Sequence, residues 1–266
     1  MDDLLIASKH PKAIIDALTG IYKFLLKGTG PLTFHLGCDF FRDENGTLCQ
    51  SPRKYTQRIV DNYTRPFGEQ PRVYKSPLDK GDHPELDDTE FLDSKGIKQY
   101  QSLIGSLQWA VSLGRFDIAT AVMTLSSFRV APREGHLARA KHIIGYLIRM
   151  KDACIRYRTE RPELSDFPEG ACDWSGTPCA QMEGPEDEFP YNAPVPKGRI
   201  VDTMHFFDAN LYHDVTTGKS VTGCLHFLNK TPINWYASKQ KTVNASTFGS
   251  ESDTGRITVF FNLSQS

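Results

Sequence analysis

Three stretches of helical apolar spacing, each stopped by a residue that disfavours helix, dominate the middle of this chain. Tyr100, Leu103, Ile104, Leu107 and Val111 form the first stripe. Ile118, Val122, Leu125 and Phe128 form the second, and Leu137, Ala140, Ile143, Ile144, Leu147 and Ile148 the third. Recurrence at three and four residues puts each set on one face of a helix. Gly114 and Pro132 stand in the two gaps; glycine loses too much backbone freedom in a helix and proline lacks the N–H that a helix interior needs. Helices joined by such short connections bury their stripes against one another. A compact three-helix unit is therefore predicted at the centre of the chain.

The flanks read differently. Leu4-Leu5-Ile6-Ala7, after the acidic pair Asp2-Asp3, reads as a strand end. Pro11 opens a helix in which Ile14, Ala17, Leu18, Ile21 and Leu25 recur and which Gly28 closes. Residues 32–41 are strand-like and aromatic, Asn45-Gly46 signals a hairpin, and Thr47 to Gln50 should return antiparallel. Tyr55 to Tyr63 is a short helix candidate. Residues 64–95, with Pro66, Gly68, Pro71, Pro77, Gly81 and Pro84, read as a linker. Residues 161–200 are acidic and rich in proline and read as a second linker. Thr203 to Asp208, Val221 to Leu228 and Ile233 to Tyr236 are strand candidates, and Ser246 caps a last helix running towards Arg256. The fold class expected is α+β, with no internal repeat.

Charge narrows the function classes. Over 266 residues the formal net charge is −1, which excludes a uniformly basic nucleic-acid binder. The average conceals a polarity. Between Arg129 and Arg161 there are nine basic residues and three acidic ones, whereas Glu163 to Glu188 holds eight acids and no Lys or Arg. That pattern fits either a charged partner or two solvated faces of opposite sign. No apolar run approaches the roughly 20 residues of a membrane span, and Met1-Asp2-Asp3 is acidic where a signal peptide is basic. Neither membrane insertion nor secretion is expected. Six cysteines without a CxxC pair suit a reduced, intracellular compartment.

Four carboxylates are candidate metal ligands. Asp2 and Asp3 are adjacent at a strand-like run and could hold a hard cation such as Mg²⁺. Asp208 ends an apolar strand and Glu251 lies on the last helix; a strand-end Asp facing a helix Glu is half of a two-metal centre. The plain alternatives are an exposed polar terminus, an Asp opening a turn and a Glu on a wet helix face. Asp214 and Asp253 are spare acids nearby. Cys172, Cys179, His205 and His213 match no common zinc spacing. Gly-rich phosphate loops and the Gly-x-Ser-x-Gly and His-Glu-x-x-His motifs are absent from the sequence.

An ordered series of short motifs resembles one family. Asp2-Asp3-Leu4-Leu5-Ile6-Ala7 resembles the end of the Tyr-x-Asp-Asp motif of reverse transcriptases. Leu36-Gly37, Asn45-Gly46 and Gln50 to Tyr55 resemble the stretch that follows it in copia-type LTR retrotransposons. Tyr100 to Leu107, Arg115 to Ile118, Leu125 to Phe128 and Pro132 to His136 continue the series. Asp208-Ala209-Asn210, Pro232 to Trp235, Ser238-Lys239-Gln240 and Ser246 to Glu251 complete it. The resemblance implies the C-terminal part of a polymerase palm at 1–63, a linker at 64–95 and a helical thumb-like unit at 96–160. It further implies the acidic linker at 161–200 and the N-terminal half of an RNase H-like domain at 201–266.

By that resemblance Asp2 and Asp3 would ligate Mg²⁺ for RNA-directed DNA synthesis, and Asp208 and Glu251 would do so for cleavage of RNA in a hybrid. The polymerase centre of the family uses a third aspartate, expected upstream of residue 1, and the next RNase H aspartate is expected beyond residue 266. Asn210 stands where the family has a second acid. The chain is thus expected to be an interior polyprotein fragment, inactive alone. The expected partner is an RNA–DNA hybrid or primer–template. Arg133, Arg139, Lys141 and Arg149 are expected to meet its phosphates from the third helix, because the apolar stripe of that helix leaves them to solvent. Two rival readings are a non-enzymatic nucleic-acid-binding module and a transposon relic without function.

Overall fold

A computed structural model of the chain describes residues 4–163, 198 and 200–263, with side chains described up to residue 255. Residues 4–10 form no strand, in contrast to the expectation for Leu4 to Ala7: no other described strand pairs with this run, and an unpaired strand leaves its ladder unmade. Helix α1 (Pro11–Gly20) starts at the proline as expected. It stops short of Leu25, and Ile21 and Leu25 are 75% and 85% exposed. None of its residues is fully buried, and a short helix with little tertiary burial does not extend itself.

The aromatic run after Pro31 divides into β1 (Phe34–His35) and β2 (Cys38–Arg42). Between them Leu36 and Gly37 have φ of 46° and 87°, the double left-handed turn that matches strand twist. Strand β3 (Leu48–Ser51) returns antiparallel to β2, with Phe40 opposite Gln50. The loop over 43–47 is tied by Asp43, whose Oδ1 accepts the N–H of Asn45 at 3.0 Å and of Thr47 at 2.9 Å. Cys49 faces Phe41 across the hairpin. Helix α2 (Arg53–Phe67) follows and ends at Gly68 in the left-handed conformation.

The central unit is helical as expected: α3 (Ser94–Ser112), α4 (Ala119–Ser126) and α5 (Glu134–Arg149). Asp93 caps α3, its carboxylate accepting the N–H of Gly96 at 2.7 Å. The hydrophobic core lies between these helices and α2. Tyr63, Tyr100, Ile104, Leu107, Leu125, Ile143, Ile144 and Leu147 are all essentially inaccessible. The Tyr100 hydroxyl donates to the carbonyl of Leu125 at 2.6 Å, so the polar tip of a buried ring has a partner.

Residues 64–95 are largely irregular, but the part before α3 is no free linker. It crosses α5 as a strap. Tyr74 stacks on His142 at 3.6 Å, His142 Nε2 bonds the carbonyl of Ser76 at 2.9 Å, and Pro84 is buried. Its prolines and glycines specify an irregular backbone, and irregular backbone can still be docked.

Beyond α5 the chain returns as β4 (Ile155–Arg156), which pairs with β3 and completes a sheet of order β1-β2-β3-β4. Residues 164–197 lie outside the described residues, and the acidic Pro-rich expectation falls largely on them. The last part is an antiparallel sheet of β5 (Thr203–Asp214), β6 (Lys219–Leu228) and β7 (Thr231–Lys239), followed by α6 (Thr247–Leu263). Ser246 caps α6, accepting the N–H of Gly249 at 3.2 Å. The helix sits on the sheet through polar contacts: Thr222 and Thr254 hydroxyls are 2.9 Å apart, and Gln240 Nε2 donates to Thr222 Oγ1 and the Ser250 carbonyl. On the other face, Trp235 Nε1 donates to the carbonyl of Val111 at 3.0 Å and its ring tilts against Phe116. The last sheet is thereby docked on the helical unit. The architecture is mixed helix and sheet, and no described helix is long and apolar enough to cross a membrane.

Candidate functional site

Helix α5 does not present its cations as a row. Arg139 is turned inward: Nε and Nη2 donate to the two carboxylate oxygens of Asp82, and Nη1 to Asp87 at 2.5 Å. Both acids come from the strap, and the Asp87 side chain is 6% exposed. Burial pushes the Asp87 carboxyl up, but the Thr89 hydroxyl and the Arg139 guanidinium outweigh it and hold the group below its ordinary value. The expectation that Arg139 is free to meet phosphate is therefore overturned, because apolar periodicity says which face is buried and not which acids fold across the rest.

Arg133 lies over the Phe91 ring at 3.9 Å and donates to the carbonyl of Thr89. Lys141 lies over Phe67 at 4.3 Å. Both are half-buried, and only Arg149 of the four is exposed. The stem of a long cation covers apolar surface while its head is held by a ring.

A second group of cations gathers where the two sheets approach. Pairing of β3 with β4 sets Arg156 opposite Cys49, and Arg158 follows. The Arg158 N–H donates to Thr231 Oγ1 at 2.7 Å, and that hydroxyl donates back to the Arg158 carbonyl at 2.9 Å. These bonds bring the β6–β7 turn, with Lys230, beside the β2–β3 loop. The result is an open cleft of about 980 Å³ that Arg42, Arg156, Arg158 and Lys230 line together with Asp43, Glu44 and Glu160. Asp43 is engaged by Arg156 at 3.4 Å and by its own loop. Sequence reasoning counted Arg156 and Arg158 in the basic run but missed Arg42 and Lys230. The Asn45-Gly46 turn and the β6–β7 turn were both legible, but not that they meet.

Asp2 and Asp3 lie outside the described residues. Asp208 is exposed and pairs in register with Gly223, while its neighbour Ala209 pairs with Thr222. Because successive strand residues face opposite sides, Asp208 lies on the face away from Thr222, and Thr222 is the residue that meets α6. Glu251 is exposed on α6, next to the sheet-facing Ser250. Asp253 Oδ2 accepts from Thr242 and Asn244, and Asp214 from Lys239 and Thr216. Among the described residues no group of three or more His, Cys, Asp or Glu could hold a metal ion.

Comparison with known proteins gives three relatives. The chain is 30% identical over 165 residues to the transposon Ty5-1 protein of Saccharomyces cerevisiae, a match covering 60% of this chain and 50% of that one. It is 26% identical over 260 residues to the retrovirus-related Pol polyprotein from transposon TNT 1-94 of Nicotiana tabacum, covering 94% of this chain and 16% of the polyprotein. It is also 26% identical over 244 residues to the retrovirus-related Pol polyprotein from transposon RE1 of Arabidopsis thaliana, covering 91% and 14%. The chain therefore spans half the length of the first relative and about a seventh of the two plant polyproteins. No family model matches it, and no solved structure does. These homologies identify the chain as related to a stretch of retrotransposon polyprotein.

Proposed function

We propose that this stretch of a retrotransposon polyprotein is the junction of a copia-type reverse transcriptase with its RNase H, and that its own part is to hold nucleic acid between the two. The observation that carries the reading is the order of elements. A hairpin and helix come first, then a helical unit, then three antiparallel strands and a helix, in the same sequence as the motifs that resemble that family. Relatives that are Pol polyproteins support it.

Among the described residues no group of three or more His, Cys, Asp or Glu could hold a metal ion, so no step is derived through one. What remains is a charged surface. Arg42, Arg156 and Arg158 of the cleft are exposed, as is Arg149, and Lys230 is half-buried. Backbone phosphates would displace counterions there without stripping an ion pair from the core. The cation-lined cleft favours a second reading, a nucleic-acid-binding module without catalysis.

Fluorescence anisotropy with an RNA–DNA hybrid, a DNA duplex and single-stranded RNA tests the proposal. A hybrid bound without sequence preference, with a slope of roughly −2 to −4 in log K against log salt, is the expected result. Arg158→Ala and Lys230→Ala should each reduce that slope by about one, whereas Arg139→Lys should leave it. Salt-insensitive binding, or none, would overturn the proposal. Hybrid cleavage by the folded chain, lost in Asp208→Asn, would overturn the second reading.

A further inference from the structure

We propose that Cys49 and Cys154 are an oxidisable thiol pair whose disulfide staples the seam between β3 and β4. Cys49 stands directly opposite Arg156 in that pairing, and Cys154 precedes Arg156 by two residues. Residues two apart on an extended run share a face, so the two thiols are diagonal neighbours on one side of the seam. They lie near enough for the Cys154 thiol to act directly on that of Cys49.

The two surroundings give each sulfur a role. Cys49 is fully enclosed, whereas Cys154 is half-buried and within reach of a small oxidant. Burial first, then the Cys154 thiol and the Asp43 carboxylate, push the Cys49 thiol up against the pull of Arg156. Thiolate is the reactive form, so Cys154 meets the oxidant and Cys49 resolves the product. With a peroxide as oxidant, the Cys154 sulfur attacks one oxygen and the O–O bond breaks. The departing hydroxide takes the thiol proton and leaves as water, and Cys154 is now a sulfenic acid. The Cys49 sulfur attacks that sulfur, the S–S bond forms as the S–OH bond breaks, and the hydroxide leaves with the Cys49 proton as a second water. The two thiols have given two electrons and two protons to one peroxide.

Diagonal neighbours across a ladder sit roughly 7–8 Å apart at Cα, and a disulfide needs less than about 7 Å. Cys154 lies one residue before β4, outside the ladder, and is the side that closes the gap. The seam it fastens is short. Two register pairs hold it, with the Ser51 hydroxyl on the Ala153 carbonyl and Arg53 on Asp152 at 3.1 Å beside them. A covalent link here closes a loop of about a hundred residues, and crosslinks across long loops restrict the unfolded chain most.

Non-reducing peptide mapping of the full chain, before and after hydrogen peroxide, tests the pair and needs no variant. The Cys49 and Cys154 peptides should appear joined, and dithiothreitol should separate them. The oxidised chain should unfold at a higher urea concentration than the reduced one. Cys49→Ser and Cys154→Ser should each abolish both the link and the rise in midpoint, and Cys38→Ser should leave both. A Cys154 that stays reduced, or stops at a sulfinic acid without a link, would overturn the proposal. So would oxidation that joins other cysteines instead, or a linked chain no more resistant to urea than the reduced one.

Discussion

Arg139 grips Asp82 through two hydrogen bonds of 2.8 Å across 57 residues of chain, from Nε to Oδ2 and from Nη2 to Oδ1. The same guanidinium reaches Asp87, so one side chain fastens two points of the strap onto α5. A planar fork matches a carboxylate in a way a point charge does not. Arg139→Ala leaves the Asp87 carboxylate enclosed without its cation and is expected to lower the unfolding free energy by about 3 kcal/mol. Arg139→Lys should cost less but not nothing. Urea denaturation of both variants checks this; an unchanged midpoint for Arg139→Ala would show that the strap is held elsewhere.

His136 gives the same region a pH dependence. Its Nδ1 accepts the N–H of Arg133 at 3.0 Å and its Nε2 donates to the carbonyl of Pro84 at 2.9 Å. Both nitrogens are used by the neutral ring, and a second proton would point at a donor. Burial, chiefly, holds the group below its ordinary 6.5, with the Arg139 and Arg133 charges adding to it against the Pro84 carbonyl and Asp87. A base with a lowered folded value contributes its full stability above about pH 6.5 and loses it as pH falls through that lowered value. Thermal melts between pH 7 and 5 should show the loss, and His136→Gln should flatten it.

Trp235 joins the last sheet to the helical unit through the Val111 carbonyl, the Phe116 ring and the neighbourhood of Gly114. Trp235→Ala is expected to cost about 2 kcal/mol, less than a fully enclosed tryptophan because the ring is half-buried. It should also separate unfolding into two transitions. In the parent chain, hydrogen exchange should protect residues 100–148 better than 203–236. The extended apolar core lies among the helices, while the described apolar side chains buried in the last sheet are Ala209, Val221 and Cys224. Equal protection in both regions would contradict the expectation.

The stretch from Glu163 to Glu188 carries eight acids and no base, so it competes with phosphates for the chain's cations. Removing residues 163–196 is expected to tighten hybrid binding and steepen its salt dependence. Anisotropy with the shortened chain decides it, and weaker binding after the deletion would argue against the screening role.

Much of the fold was legible in the sequence. The stripes from Tyr100 to Ile148 repeat often enough to fix three helices, and the apolar runs near Thr203 and Val221 identify their strands. The short pieces were not legible. Ile155-Arg156 becomes a strand only because β3 offers an open edge, and no two-residue run carries a period. Ile21 and Leu25 continue a helical spacing that has nothing to bury against. The candidate site was the least legible part. Arg139 belongs to the right helix and the right polar face, yet its partners lie 52 and 57 residues away on an irregular segment. Asp208 could be assigned to a strand, but the face it takes is set by register with β6, which alternation within one strand does not reveal.

The pairing of β3 with β4, reinforced by the Ser51 hydroxyl on the Ala153 carbonyl at 2.8 Å, brings together the two ends of the segment holding α2 to α5. That segment is a closed loop of about a hundred residues, and closing a loop costs entropy that grows only slowly with its length. The helices between can fold on local contacts first, which shortens the effective loop before its ends must meet. Assembly would then proceed from the centre outward, with the first sheet sealed last, and a chain released part-way through synthesis would hold its helices but lack the seam.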